Sequence, residues 1–459
     1  MKKRRLMLCS LVSLIMVLVM AVPMTVSADT VTTVTTAEAL KSAVANGGEI
    51  ALGNDITASI EIPAGVTVAL DLNGKTLTNE AGKHTITNNG TLTVKGSGTV
   101  DNVSHAKGAL VNKGTATIDG GTFTRSQEKG DSPSNSGGNS WYVIDNQGIL
   151  TVTGGTVKNT SGFSSLVRNM NGTLNVNGGN FYNVFIALKN DDNGIMKITA
   201  GTIESKEQAV QNWSKLDVAG GNFIGDVYTW SYDASQGTAT IGGSAVIDGN
   251  VSAIQYGNAT AKSTVEIKGG TISGTIEKGE YDAKYVPVDP DAGTSVITVS
   301  GGTFAKKPSP YFIPQDKVAI RYAQANSDGK YYVGTQEEIQ EIANAAKAGD
   351  TIDVITGSIT LNMITPGVKV NNAESNDNGK VVVNGTTLKP GASMEIQKPV
   401  TDPSKPSQDQ TQKPSDTAKT DSSAKTGDDF NLFAVGGAAL AAIIAMAAVA
   451  LTGRRHRQR

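Results

Sequence analysis

The feature that most constrains this fold is a short segment that recurs along the middle of the chain. Each copy opens with Gly-Thr or a close variant, continues as an alternating strand and ends in Gly-Gly before a polar and an apolar residue. The first glycine of the doublet falls at positions 120, 154, 178, 220, 242, 269 and 301, with Gly96 and Ala200 in the equivalent places. Most copies are therefore 20 to 24 residues apart, and a period of that length is typical of a solenoid.

Each copy consists of three short predicted strands separated by Gly or Asn turns, and one copy alone cannot bury its apolar face. Stacking the copies creates a continuous core, so the repeat predicts an all-β fold in the form of a parallel β-helix. The large apolar residues that close the copies are expected to stack inside it. They are Phe123, Val157, Phe181, Ile203, Phe223, Ile272 and Phe304.

A column of asparagines is predicted in one turn of successive copies. Its members are Asn88, Asn112, Asn146, Asn169, Asn190 and Asn212. Asparagine accepts left-handed backbone angles, and stacked amides can hydrogen-bond along the solenoid axis. The arrangement resembles the right-handed parallel β-helix of the pectin-lyase-like superfamily, including its internal asparagine ladder, over roughly residues 50 to 305.

Two helical segments flank the repeats. Thr36 to Asn46 places Ala37, Leu40, Ala43 and Val44 on one face and is stopped by Gly47-Gly48, so a short amphipathic helix is expected to cover the first turn. Thr335 to Ala348 repeats the pattern before further strands. We therefore predict an N-terminal cap over 29–64, the β-helix over 65–305, and a helix-plus-strand module over 306–395. That module either closes the solenoid or begins a second short one.

The first 28 residues read as a secretory signal peptide. Four basic residues precede an apolar run from Leu6 to Val19, and Val26-Ser27-Ala28 precedes the expected cleavage. Cys9 is the only cysteine, so the exported chain has no disulfide. Its stability must come from the core and the strand ladders.

The C-terminus carries a second targeting signal. Lys425-Thr-Gly-Asp428 precedes an apolar stretch, Leu432 to Leu451, and a basic tail ending at Arg459, which suits a membrane span with a cytoplasmic tail. This order resembles the sorting signal of sortase-anchored proteins of Gram-positive bacteria, although Ser423 and Ala424 replace the usual Leu-Pro. The resemblance implies cleavage between Thr426 and Gly427, with sortase and peptidoglycan as partners, in the segment 426–459. A simple membrane anchor is the alternative, and in either case the body is extracellular.

Residues 396–425 are rich in Pro, Ser, Thr, Asp, Gln and Lys, and we expect them to form an extended, disordered linker through the cell wall. Without the predicted signal and the part after the predicted cut, the chain has 32 basic and 40 acidic residues, a net charge of −8. This charge argues against nucleic acid as a partner. Membrane contact is expected only through the C-terminal anchor.

Candidate chemistry lies directly before the asparagine column, where successive copies carry Asp145, Arg168 and Lys189. Alternation turns this column outward, about 4.8 Å between neighbours. An Asp-Arg-Lys line resembles the place where lyases of the superfamily hold an acidic sugar, using Ca²⁺ and a basic catalytic residue. The candidate carboxylates are few, namely Asp145, Asp191 and Asp192, so an exposed ladder of salt bridges is the other interpretation. No metal or cofactor is predicted, and Ca²⁺ enters only with a lyase.

Aromatic residues suggest binding more directly. All three tryptophans, Trp141, Trp213 and Trp230, lie in one third of the body with several tyrosines, including Tyr142. Trp213 is expected to face solvent, and long insertions at Arg125 to Ser140 and Lys278 to Gly293 are expected on the same half. Rigid aromatics beside polar turns suit stacking on sugars or anchoring a protein. Burial of Trp230 and Tyr142 beneath the insertions is the alternative.

Three functions follow from these observations. The first is a wall-anchored binding protein or adhesin that engages a host glycoprotein, with mucin or antibody conceivable, or a polysaccharide. Its candidate ligand-binding residues are Asp145, Arg168, Lys189, Trp141, Tyr142, Trp213 and Trp230. The second is a polysaccharide lyase or hydrolase using Asp145, Arg168 and Lys189, and the third is a passive spacer.

Overall fold

The computed structural model describes residues 31–127, 141–159, 164–257, 260–281, 294–377 and 379–398. They form the predicted all-β fold, a right-handed parallel β-helix of roughly 13 turns. The predicted signal peptide, nearly all of the wall linker, the sorting signal with Thr426 and Gly427, and most of both long insertions lie outside the described residues. No helix within the described ranges is both long and apolar enough to cross a membrane.

The strands are short, and two helices flank them. The first strands are β1 (Thr32–Val34), β2 (Gly48–Leu52), β3 (Ile56–Thr57), β4 (Ile60–Ile62), β5 (Thr67–Asp71), β6 (Lys75–Thr78), β7 (Ile86–Asn88), β8 (Thr91–Lys95), β9 (Gly98–Asp101), β10 (Leu110–Asn112), β11 (Thr115–Ile118), β12 (Thr122–Thr124), β13 (Ile144–Asn146), β14 (Ile149–Val152), β15 (Thr156–Lys158) and β16 (Val167–Asn169). The middle strands are β17 (Thr173–Asn183), β18 (Ile186–Asn190), β19 (Ile195–Asn212), β20 (Lys215–Val218), β21 (Asn222–Tyr232), β22 (Ser235–Gln236), β23 (Thr238–Ile241), β24 (Val246–Asp248), β25 (Val251–Tyr256), β26 (Thr264–Ile272), β27 (Ile276–Tyr281) and β28 (Val296–Phe304). The last strands are β29 (Val318–Ala323), β30 (Lys330–Gly334), β31 (Thr351–Thr356), β32 (Ile359–Leu361), β33 (Lys369–Asn372), β34 (Val381–Val383), β35 (Thr386–Leu388) and β36 (Ser393–Glu395). The helices are α1 (Ala37–Asn46) and α2 (Gln336–Ala345), with a 3₁₀ turn at Pro310–Phe312.

Each lap of the solenoid adds one strand, or one part of a longer strand, to each of three parallel faces. On one face β5, β8, β11 and β14 stack in strict register. Because side chains alternate along a strand, every second residue of each lap points into the core. Leu92, Ala116 and Leu150 are therefore vertical neighbours and are almost completely buried.

The predicted apolar column is confirmed. Phe123 pairs with Val157 and Val157 with Phe181, and the column continues to Phe304 with every member buried. One copy differs from the sequence alignment, in which the copy from Gly237 ends at Val246. In the structure that copy has one extra residue, so Ile247 takes the inward position between Phe223 and Ile272, while Val246 is 42% exposed.

The glycine doublet has a steric cause. Gly179 adopts a φ of +81°, in the left-handed region that side chains disfavour. A Cβ on its neighbour Gly178 would collide with the carbonyl oxygen of Thr153 in the lap below. The turn therefore needs glycine at one position for its backbone angle and at the other for the close approach of laps.

The asparagine ladder is also confirmed. Each side-chain amide from Asn88 to Asn190 donates to the Oδ1 of the next asparagine at 2.7 or 2.8 Å. The same nitrogens also donate to strand carbonyls, as Asn146 does to Thr173 at 3.0 Å. All six asparagines are fully buried, so these bonds compensate the cost of placing amides inside the core. After Asn212 the position becomes Thr229, and the ladder ends.

Helix α1 begins directly after Thr36, whose side-chain hydroxyl accepts from the Ala39 amide at 3.2 Å. Its buried residues Leu40, Ala43 and Val44 belong to the same hydrophobic cluster as the first strands. The C-terminal part has a separate cluster that includes Ile339 of α2. It joins the solenoid where β30 runs antiparallel to β28. The roles of these parts as caps, and the domain limits themselves, stay predictions.

We predict that Asn146→Ala destabilises the solenoid by about 2 kcal/mol, because it leaves buried partners of the amide unsatisfied above and below. The change in the free energy of unfolding is measured by urea denaturation monitored by circular dichroism. Asn175→Ala is the matched control, since Asn175 faces outward and makes only a 3.4 Å contact with Thr151. Equal losses in the two variants would show that the ladder does not contribute specifically.

Candidate functional site

The three predicted site residues lie side by side on one face. Asp145 pairs in register with Arg168, and Arg168 with Lys189. The column continues through Gln211 to Tyr228. Its inward neighbours form the asparagine ladder, which fixes the register of this face.

The structure corrects the expectation that Asp145 is exposed. The residue points away from the core but is fully buried. Its Oδ1 and Oδ2 accept from Nε and Nη2 of Arg168 at 2.8 and 2.9 Å, and Gln147 donates to Oδ2 at 2.9 Å. Asp145 is therefore buried because the planar guanidinium of the next lap covers it in a bidentate pair.

Arg168 is itself held in place by aromatic rings. Its guanidinium carbon lies 4.5 Å from the ring centre of Tyr142 and 6.0 Å from that of Trp141, distances that suit cation–π attraction. Burial alone would lower the pKa of Arg168, but its hydrogen bond to Asp145 and the charge of that carboxylate raise the pKa above its usual value. The guanidinium is consequently a fixed and permanently charged group.

Lys189 does not extend a ladder of salt bridges along the column. Its Nζ lies 3.0 Å from Oδ1 of Asp191, in the turn of its own lap. The predicted exposed ladder is therefore wrong in detail. Each of the two cations has one carboxylate partner, and these partners lie at different depths.

A groove with a volume of about 650 Å³ runs over this face. Its walls combine aromatic rings with polar side chains: Trp141, Tyr142, Ser164, Ser165, Arg168, Phe185, Ile186, Lys189, Gln208, Gln211, Tyr228, Trp230 and Tyr281. Trp141 and Tyr281 belong to laps six steps apart. At ~4.8 Å per step the backbones of these two laps lie about 29 Å apart along the solenoid axis, and side chains from both reach the groove.

An aromatic cluster contributes Trp230 and Tyr281 to the lining of the groove, whereas its members Trp213 and Tyr256 are not among the lining residues. Trp213 stacks on Trp230 with ring centres 5.1 Å apart, and Tyr281 and Tyr256 contact Trp230 at 5.3 and 6.3 Å. Trp230 is only 3% exposed, so the alternative that it packs beneath other residues holds for this side chain. Trp213 is partly exposed, and its Nε1 donates to Gln211 at 3.0 Å.

A second, acidic groove of about 600 Å³ continues from the first, with which it shares Gln208 and Tyr228. Glu207, Asp226 and Asp248 line it. The Tyr228 hydroxyl donates to Asp226 at 2.8 Å. Burial, this hydrogen bond and the Asp226 charge raise the pKa of Tyr228 well above its usual value, so Tyr228 acts as a neutral donor.

Sequence reasoning missed the second half of the groove. Tyr228 is not predicted as a site residue, because the asparagine that marks the register is replaced by Thr229 in its lap. Tyr281 lies two laps further along, beyond the end of the asparagine column. If Thr229 is aligned with Asn212, then Tyr228, the residue directly before Thr229, falls in the same column as Asp145, Arg168 and Lys189.

The Trp141 end of the groove contacts a histidine. The His84 ring lies 5.8 Å from Trp141, and its Nδ1 accepts from the Gly108 amide at 2.9 Å. Burial, followed by the charge of Lys107, lowers the pKa of His84, and Asp145 acts in the opposite direction. The ring is therefore held neutral as an acceptor beside the groove.

Within the described ranges, no group of three or more His, Cys, Asp or Glu side chains is placed to hold a metal ion. Comparison with known proteins found no protein-family model, no curated protein and no solved structure that matches this chain.

We predict that acid weakens the fold through His84. The folded protein binds this proton less readily than the unfolded chain, so stability falls as pH drops below about 6.5, the pKa of a free histidine, until the folded pKa is passed. Urea midpoints between pH 7.5 and 5 measure the loss. His84→Asn, which keeps an acceptor near Gly108, should flatten that slope. An unchanged slope in His84→Asn would contradict the assignment.

Proposed function

We propose that this chain is an extracellular, wall-attached binding protein whose groove holds a glycan chain, either a polysaccharide or the glycan of a host glycoprotein. The observation that carries the proposal is the groove itself, which crosses several laps of the solenoid and is lined by five Trp and Tyr side chains. A groove that crosses several laps suits a linear chain better than a single sugar.

The lining has the chemistry that a sugar chain requires. The carbon–hydrogen faces of sugar rings stack on flat aromatic rings such as Tyr142 and Tyr281, which lose little conformational entropy on binding. Sugar hydroxyls need fixed polar partners, and Gln208 and Lys189 lie in the same groove. This combination of rigid aromatics and a few placed polar groups is typical of ligand sites.

The proposed export and cell-wall attachment are supported by the sequence alone. The signal peptide, the linker and the Lys425-Thr-Gly-Asp428 signal support a protein held on the cell wall, with sortase and peptidoglycan as its partners. Mass spectrometry of wall fragments tests this part, because a C-terminus at Thr426 is expected. A chain that ends at Arg459 would instead favour the simple membrane anchor.

The lyase alternative receives less support from the geometry. A general base must accept a proton, whereas the raised pKa of Arg168 keeps it protonated. The oxygens of Asp145 are occupied by Arg168 and Gln147, and Asp191 is paired with Lys189. Incubation with uronate polymers and Ca²⁺ tests this alternative by the ultraviolet absorbance of an unsaturated product. Formation of that product, and its loss in Arg168→Ala, would support the lyase.

We predict that Tyr142→Ala and Tyr281→Ala each weaken glycan binding about tenfold, through the loss of one stacking surface. A glycan panel first identifies a bound chain, and calorimetry then gives the Kd of each variant. Tyr182→Ala is the matched control, because Tyr182 lies on another face of the solenoid.

Longer oligosaccharides should bind more tightly until the groove is filled. Unchanged affinity in both groove variants would place the binding site elsewhere. Binding of no glycan, antibody or mucin at all would favour the passive spacer.

A further inference from the structure

Both cations of the groove have carboxylate partners beside them. Arg168 forms two hydrogen bonds with buried Asp145, and Lys189 forms an ion pair with Asp191. An anionic ligand group at this end would therefore approach two compensated charges rather than two free ones. Its electrostatic gain would be correspondingly small.

The other end of the groove is acidic. The shared wall at Tyr228 leads to Asp226, Glu207 and Asp248, with Lys206 as the accompanying cation. Burial first, then the charges of Glu277 and Asp226, raise the pKa of Tyr281, which lines the groove at this end. The charges of Glu277 and Asp226, although secondary to burial, act on its hydroxyl in the same direction.

Taken together, the residues that line the two grooves and the carboxylate partners of Arg168 and Lys189 include three basic side chains and five carboxylates. They are Arg168, Lys189, Lys206, Asp145, Asp191, Glu207, Asp226 and Asp248. A polyanion carries a charge on many of its units, so part of any such chain would lie against the acidic end. The potential along the site thus disfavours polyanions.

Donors that suit hydroxyl groups remain available. Asp145 engages Nε and Nη2 of Arg168, and no hydrogen bond from Nη1 occurs among the described residues. The pair fixes the plane of the guanidinium, so its remaining N–H groups can donate to adjacent sugar hydroxyls without further ordering. Gln208 accepts from Gln211 at 3.3 Å and keeps its amide donors in the groove wall.

We propose that the groove selects uncharged glycan chains and discriminates against acidic ones, with Arg168 serving as a pre-oriented hydroxyl donor rather than as an anion receptor. This inference rests on the glycan-binding function proposed above. It names the ligand class of the same site: a linear neutral polysaccharide or a neutral stretch of a glycoprotein glycan.

Matched polymer pairs test the inference. Glucan, mannan and galactan oligosaccharides are each compared with a derivative whose primary alcohols have been oxidised to carboxylates, using the purified full-length chain. We expect the neutral member of a bound pair to bind about tenfold more tightly, with a Kd that does not change with salt. Equal or tighter binding of the oxidised member, weakened by salt, would overturn the inference but leave glycan binding intact. Binding of neither member of any pair, nor of other glycans, would overturn both.

A charge variant separates this role from a structural one. Asp145→Asn keeps the shape but frees the Arg168 charge, so affinity for the oxidised polymer should rise about fivefold. Asp191→Asn should act similarly through Lys189, with little risk to the fold because that pair is only partly buried. Asp119→Asn, whose carboxylate accepts from Thr153 on another face, should change nothing. No gain in either groove variant, both being folded, would contradict the proposed charge compensation.

Discussion

The structure depends on the parallel backbone hydrogen bonding that sets each lap directly above the previous one. This register turns residues two dozen positions apart into neighbours, as Asp145 and Arg168 are. The asparagine ladder stabilises the same register from inside, because a lap shifted by one residue would bury a different side chain and leave the neighbouring amides unpaired. The groove on the outer surface and the ladder on the inner surface thus belong to the same strands.

Much of the fold follows from the sequence because its signals are local and repeated. The glycine doublets and the asparagines each mark a fixed position in the lap, so the inward columns and the adjacency of Asp145, Arg168 and Lys189 could be predicted. An extra residue before Ile247 shifted the inward position by one, so the sequence alignment of that lap was wrong. The replacement of asparagine by Thr229 removed the residue that identifies the site column, so Tyr228 was not predicted. Both errors occurred where a lap departs from the repeat.

The depth and pairing of the site side chains could not be predicted in the same way. The alternation of side chains along a strand predicts that Asp145 faces outward. It does not predict that the Arg168 guanidinium of the next lap covers this carboxylate. Likewise, Lys189 selects Asp191 in its own turn, which depends on side-chain reach rather than on period. The shape of the groove therefore depends on side-chain contacts between laps, whereas the register of the strands beneath it follows from the repeat.

The antiparallel pairing of β30 with β28 has a consequence for the behaviour of many copies together. A parallel stack is open-ended by nature, since the last strand presents the same unpaired groups that its predecessor used. At Gly302 to Phe304 those groups are already taken by a strand that runs in the opposite direction. A second molecule therefore cannot add a parallel strand at these three residues of the last lap.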